Sequence, residues 1–168
     1  MAKGRFDPTR RYLLSGRRAG VRPPWADVGR FPDLCTRCGA CVAACPEAIV
    51  VPGGGGFPEV DFRRGACTFC QACADACPEP VFDFGAPRPW EVVVRIGDAC
   101  LARRGIVCQT CREVCPEEGA IRFELVYRNA AQPHVEPDAC TGCGACVAAC
   151  PAAAITVAER ASGEAGGG

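Results

Sequence analysis

Residues Cys35–Pro46 read CTRCGACVAACP, a Cys-x2-Cys-x2-Cys-x3-Cys-Pro run, and the same grammar returns at Cys67–Pro78 (CTFCQACADACP) and Cys140–Pro151 (CTGCGACVAACP). Two residues between successive thiols let a tight loop wrap three thiolates around three irons of one [4Fe–4S] cube. The fourth thiol precedes a proline, which biases it toward extended backbone and lets it project to a second cube. Structural zinc uses Cys-x2-Cys knuckles set well apart, and disulfide scaffolds belong to short secreted chains; neither suits three such regular runs.

The remaining cysteines form an altered group, Cys100, Cys108, Cys111 and Cys115, in which Leu101 to Val107 separate the first two thiols. Two readings stand: the longer loop still delivers Cys100 to a fourth cube, or Cys100 is a buried thiol and that site is incomplete. The candidate metal ligands are therefore Cys35, Cys38, Cys41 and Cys45; Cys67, Cys70, Cys73 and Cys77; Cys100, Cys108, Cys111 and Cys115; and Cys140, Cys143, Cys146 and Cys150, serving three or four [4Fe–4S] clusters. None of the 16 thiols is left over.

Because the fourth thiol crosses over, the groups are expected to work in pairs. If neighbours pair, one cube takes Cys35, Cys38, Cys41 and Cys77, and the next takes Cys67, Cys70, Cys73 and Cys45. The same rule joins Cys140, Cys143 and Cys146 with Cys115, and Cys100, Cys108 and Cys111 with Cys150. A nested scheme, first group with fourth and second with third, is equally compatible with the linkers.

Composition points the same way. Of 168 residues 49% are apolar, but 27 are Ala and 16 are Cys, leaving 34 Leu, Ile, Val and Phe. At roughly 25 cal/mol per Å² of apolar burial, so thin a core struggles to offset the ordering entropy of the chain, so something bound to sulfur is expected to hold it together. The net charge of zero hides an asymmetry: residues 1–30 carry eight basic and two acidic residues, net +6, and the rest is net −6. No run approaches the ~18 apolar residues of a membrane span.

Thr9-Arg10-Arg11-Tyr12-Leu13-Leu14 looks like a twin-arginine export address, but the continuation through Arg17, Arg18 and Arg22-Pro23-Pro24-Trp25 offers no apolar signal core. The stretch is read as a basic arm, and a cytoplasmic location is expected.

Short apolar runs flank the motifs: Ala48 to Val51, Val60 to Phe62, Val81 to Phe84, Val92 to Ile96, Ile121 to Tyr127 and Ile155 to Val157. Their length and their β-branched and aromatic content read as strands, with Pro52 to Gly56 as a turn. The Ala-rich Ala40 to Ala44 and Ala145 to Ala149 suit single helical turns packed against a cube. The expected class is α+β: tandem bacterial ferredoxin-like [4Fe–4S] units with short strands and single-turn helices around the clusters. The expected divisions are a basic N-terminal arm, 1–30; a first pair of motifs, 31–85; a second pair, 86–160; and a flexible tail, 161–168.

His134 reads as a surface residue, and Trp25 and Trp90 as anchors for Pro-rich segments. Gly53 to Gly56 is no phosphate loop, because no Lys-Ser/Thr follows it. No nucleophile, acid–base pair or substrate pocket is identifiable, so an enzyme is not expected, nor is nucleic-acid binding.

Arg10-Arg11 with Gly16-Arg17, Arg22-Pro23-Pro24-Trp25, Cys35-Thr36-Arg37-Cys38, Ile96-Gly97-Asp98-Ala99-Cys100-Leu101-Ala102 and Gly142-Cys143-Gly144-Ala145-Cys146 form one set of stretches along the chain. Together they resemble the NapF family, ferredoxin-type accessory proteins of the periplasmic nitrate reductase system. The interrupted third group is similar to that family too. The resemblance implies a cytoplasmic iron–sulfur protein whose partner is the precursor of the periplasmic nitrate reductase catalytic subunit, matured before export by cluster loading or reduction. An electron-transfer relay or carrier subunit of an oxidoreductase is the alternative. Four oxidised cubes would add a charge of about −8, so the basic arm would meet either this acidic body or an acidic patch on the partner.

Overall fold

Alanine and glycine between the thiols set the helical turns. The computed structural model describes residues 20–160. Most of the basic arm, with the twin-arginine-like run, and the tail 161–168 lie outside the described residues. Helix α1 is Phe31–Leu34, and α2 is Ala40–Ala44, the Ala-rich turn expected from sequence. Strands β1 (Val50–Pro52) and β2 (Pro58–Val60) flank a 3-10 turn at Gly54–Gly56, followed by α3 (Ala72–Asp75). Then come β3 (Val92–Ile96), α4 (Thr110–Glu113), β4 (Ile121–Glu124), β5 (Gln132–Val135), α5 (Ala145–Ala149) and β6 (Ile155–Glu159).

Among the described residues three sheets form, each two-stranded and antiparallel. In β1–β2, Val50 faces Val60; in β4–β5, Ile121 faces Val135; in β3–β6, Val92 faces Glu159 and Ile96 faces Ile155. The order is thus the same twice: motif, hairpin, motif, with the segments before and after brought together. In the second copy that closure is the five-residue β3–β6 ladder; in the first it is the bridge between Ala26 and Phe82.

Two hydrophobic clusters form, and the thiols belong to both. One gathers Ile49, Val50, Val60 and Phe62 with Cys41 and Cys73; the other gathers Val93, Val94, Ile96, Ile121 and Ile155 with Cys111, Cys140 and Cys146. The described end of the basic segment packs onto the first cluster: the Val60 N–H donates to the Val21 carbonyl at 2.8 Å, and the Arg22 guanidinium donates to the Pro58 carbonyl at 3.0 Å. Arg22 also lies over the Phe31 and Phe57 rings.

Several strands differ from their sequence expectation. Val81–Phe84 contributes only the bridge at Phe82, and β4 ends at Glu124, leaving Leu125 and Tyr127 almost fully exposed. The polar Gln132–Val135 forms β5, on which exposed His134 sits with its Nε2 3.4 Å from Glu124. Trp25 packs against Phe69 and Phe84, and Trp90 against Phe62 and Phe69, so both act as anchors. Among the described residues no helix is long and apolar enough to cross a membrane.

Candidate metal centres

The loop grammar is realised as backbone geometry. In motifs one and four the glycine before the helical turn is left-handed, Gly39 at φ 79 and Gly144 at φ 80, which turns the chain between the second and third thiols. The cysteine ahead of the proline ends each turn in extended geometry, Cys45 at φ −73, ψ 112 and Cys150 at φ −71, ψ 113. That geometry turns the fourth thiol away from its own loop.

Three recesses collect the thiols, and in each the fourth comes from the neighbouring motif. The first is lined by Cys35, Cys38, Cys41 and Cys77. The second is lined by Cys67, Cys70, Cys73 and Cys45. The other is lined by Cys140, Cys143, Cys146 and Cys115. Neighbouring motifs therefore pair; the nested scheme is not the one the fold brings together. Packing of α2 on α3 and of α4 on α5 makes the exchange possible.

In the altered motif burial is the largest cause raising the Cys111 thiol, and Cys100 and Cys108 raise it further. Cys150 packs against the same hydrophobic cluster as Cys111 and Cys100. The interruption lies against the β4–β5 hairpin, where the Gln132 side chain donates to the Ala102 carbonyl at 2.7 Å.

Burial differs among the sets. Cys140, Cys143 and Cys146 are all buried, whereas Cys38 and Cys70 are exposed. Burial, then repulsion from neighbouring thiolates, pushes Cys73 and Cys146 up to about 12. Cys67 and Cys111 rise to about 11, burial again being the largest cause. Four thiolates in such a pocket need a compensating positive charge, which iron supplies as it displaces the protons. The donor sets, four thiols each and no buried charged side chain among the described residues, fit a thiolate-bound cluster. Among those residues no His, Cys, Asp or Glu side chains group as they would to hold a single metal ion.

Two backbone donors escaped sequence reasoning: the Phe69 N–H reaches Cys67 Sγ at 3.4 Å and the Ala154 N–H reaches Cys150 Sγ at 3.3 Å. Nothing in the side-chain pattern marks them, since they depend on loop conformation. Hydrogen bonds to ligand sulfur tune the potential of a cluster.

A family model and several known proteins match most of the chain. A 4Fe-4S dicluster domain model matches residues 34–81 and 104–159, its second match beginning after Cys100. The ferredoxin-type protein NapF of Escherichia coli (strain K12) is 44% identical over 157 residues, covering 90% of this chain and 95% of that protein. NapF of Haemophilus influenzae is 50% identical over 139 residues, 82% of this chain and 78% of that protein. The ferredoxin-type protein NapG of Haemophilus influenzae is 36% identical over 152 residues, 77% of this chain but 54% of that protein.

Proposed function

The chain belongs to the family of NapF ferredoxin-type iron–sulfur proteins, and from that premise we propose that it is a cytoplasmic maturation factor, not an enzyme. Its client would be the precursor of the periplasmic nitrate reductase catalytic subunit, whose cluster it helps load or reduce before export. Four [4Fe–4S] clusters would be held: by Cys35, Cys38, Cys41 and Cys77 at the first site; by Cys67, Cys70, Cys73 and Cys45 at the second; by Cys100, Cys108, Cys111 and Cys150 at the third; and by Cys140, Cys143, Cys146 and Cys115 at the fourth. The two ferredoxin-like units would be residues 31–85 and 86–160. Bound there, such clusters supply one-electron storage without making or breaking a covalent bond on a substrate. The protein's part is to gather the thiols, exclude water from the fourth site, and donate the Phe69 and Ala154 amides to sulfur.

The observation that carries a client-binding role over a bare carrier is the apolar surface beside the third site. Val107 on the interruption is 84% exposed, and Leu125 and Tyr127 beyond β4 are 94% and 88% exposed; the interruption meets the hairpin where Gln132 donates to the Ala102 carbonyl. Exposed apolar groups on neighbouring segments mark an interaction surface. The relay alternative draws on Cys38 and Cys70, whose exposure would let a redox partner approach the first two sites.

Capture of the purified precursor by the full chain tests the proposal. Leu125→Glu with Tyr127→Glu is expected to lower capture at least about tenfold at unchanged iron content, equivalent to about 1.4 kcal/mol. Undiminished capture would remove this surface from the account. No capture by wild-type holoprotein would favour the relay.

A further inference from the structure

The loops of motifs two and four touch. The Cys67 N–H donates to the Cys143 carbonyl at 2.8 Å. Trp90 crosses the same seam. Its indole N–H donates to the Thr141 carbonyl at 2.7 Å, while its ring packs edge-on against Phe62 at 5.6 Å and Phe69 at 5.5 Å. Phe62 presses on motif four so closely that a Cβ at Gly144 would stand 2.0 Å from its ring. Val147 of α5 and Val157 of β6 complete the contact by packing against the hydrophobic cluster of Ile49, Val60 and Phe62.

We propose that this seam, clamped by Trp90, arranges the four sites as one series in the order first, second, fourth, third. The proposal rests on the four-cluster reading above. Within each half, α2 against α3 and α4 against α5 make the first site a neighbour of the second and the third a neighbour of the fourth. The Cys67–Cys143 contact then joins the second to the fourth. The order along the chain, one to four, is not the order in space. The first site, with exposed Cys38, and the third, beside the exposed apolar surface, become the two ends. The inner fourth site carries three buried thiols.

The test compares two full-length variants, each reconstituted with iron and sulfide and reduced with dithionite. The inner-only variant carries Cys35→Ala, Cys38→Ala, Cys108→Ala and Cys111→Ala; the outer-only variant carries Cys67→Ala, Cys70→Ala, Cys140→Ala and Cys143→Ala. Paramagnetic resonance is expected to give an interaction-split spectrum for the inner-only protein and the sum of two isolated signals for the outer-only protein. Isolated signals from the inner-only protein, or splitting in the outer-only one, would overturn the order.

Should either variant fail to load, Trp90→Ala in the otherwise wild-type holoprotein makes the comparison with every thiol in place. Weakened splitting at unchanged iron supports the seam, and a spectrum superimposable on wild type overturns it. Iron analysis separates the two levels: wild-type protein with well under about sixteen irons per chain fails the four-cluster reading itself. Full iron with unsplit inner-only spectra fails the seam alone.

Discussion

Motifs one and four are nearly the same peptide, CTRCGACVAACP against CTGCGACVAACP, and differ only at Arg37 and Gly142. Their backbones agree as well: both turn through a left-handed glycine into a five-residue helix and leave it extended. Their surroundings do not. Cys38 is exposed and nothing lies within 4 Å of a Cβ built on Gly39, whereas Cys143 is buried and Gly144 lies under Phe62. The ligand grammar fixes how a loop holds thiols, and the packing around it fixes how far water reaches them. Arg37 and Gly142 record the difference: both have positive φ, 62 and 73, but a Cβ at Gly142 would come within 2.8 Å of Val92 and 3.0 Å of Trp90 Nε1.

Writing one motif as the other should have the largest effect. Gly142→Arg must force a long side chain between Val92 and Trp90, so it is expected to open the seam at a cost above about 4 kcal/mol. Iron analysis and thermal unfolding should report loss of the fourth site and of cooperativity together. Trp90→Ala comes next, about 3 kcal/mol from lost packing, while Trp90→Phe should lose chiefly the Thr141 bond, about 1 kcal/mol. Chemical unfolding of the holoprotein checks both.

Smaller still is the contrast between the matched glycines. Gly39→Ala carries only the left-handed penalty, about 1 kcal/mol, whereas Gly144→Ala adds the collision with Phe62, for a total of about 2–3 kcal/mol. Equal losses of denaturant midpoint would show that the two loops share one environment. Smallest is Arg37→Gly, which makes motif one read as motif four: relief of positive φ offsets loss of the guanidinium contact with Phe57, and unfolding should move by less than about 0.5 kcal/mol.

The cysteine grammar made the ligand loops and their helical turns legible, because spacing and small residues act locally; Ala40–Ala44, Ala145–Ala149 and β3 at Val92–Ile96 lie where the pattern puts them. Strand β5 was hidden because Gln132, Pro133 and His134 have no strand signature of their own and are held by pairing with β4. Conversely, Leu125–Tyr127 carries that signature but leaves the sheet. Which thiols exchange between motifs could not be read from spacing, since it depends on each hairpin folding back between its two loops. The Arg37/Gly142 substitution was the one local sign of the seam, and it acquires meaning only when Trp90 is placed beside it.

The four-cluster reading proposed above requires a cube in every thiol set, including the one interrupted between Cys100 and Cys108. Iron and acid-labile sulfide measured on anaerobically reconstituted full-length protein decide it. About sixteen of each per chain is expected, falling to about twelve in Cys100→Ala, if the interrupted site is a working one. About twelve in the wild type, unchanged by Cys100→Ala, would contradict it.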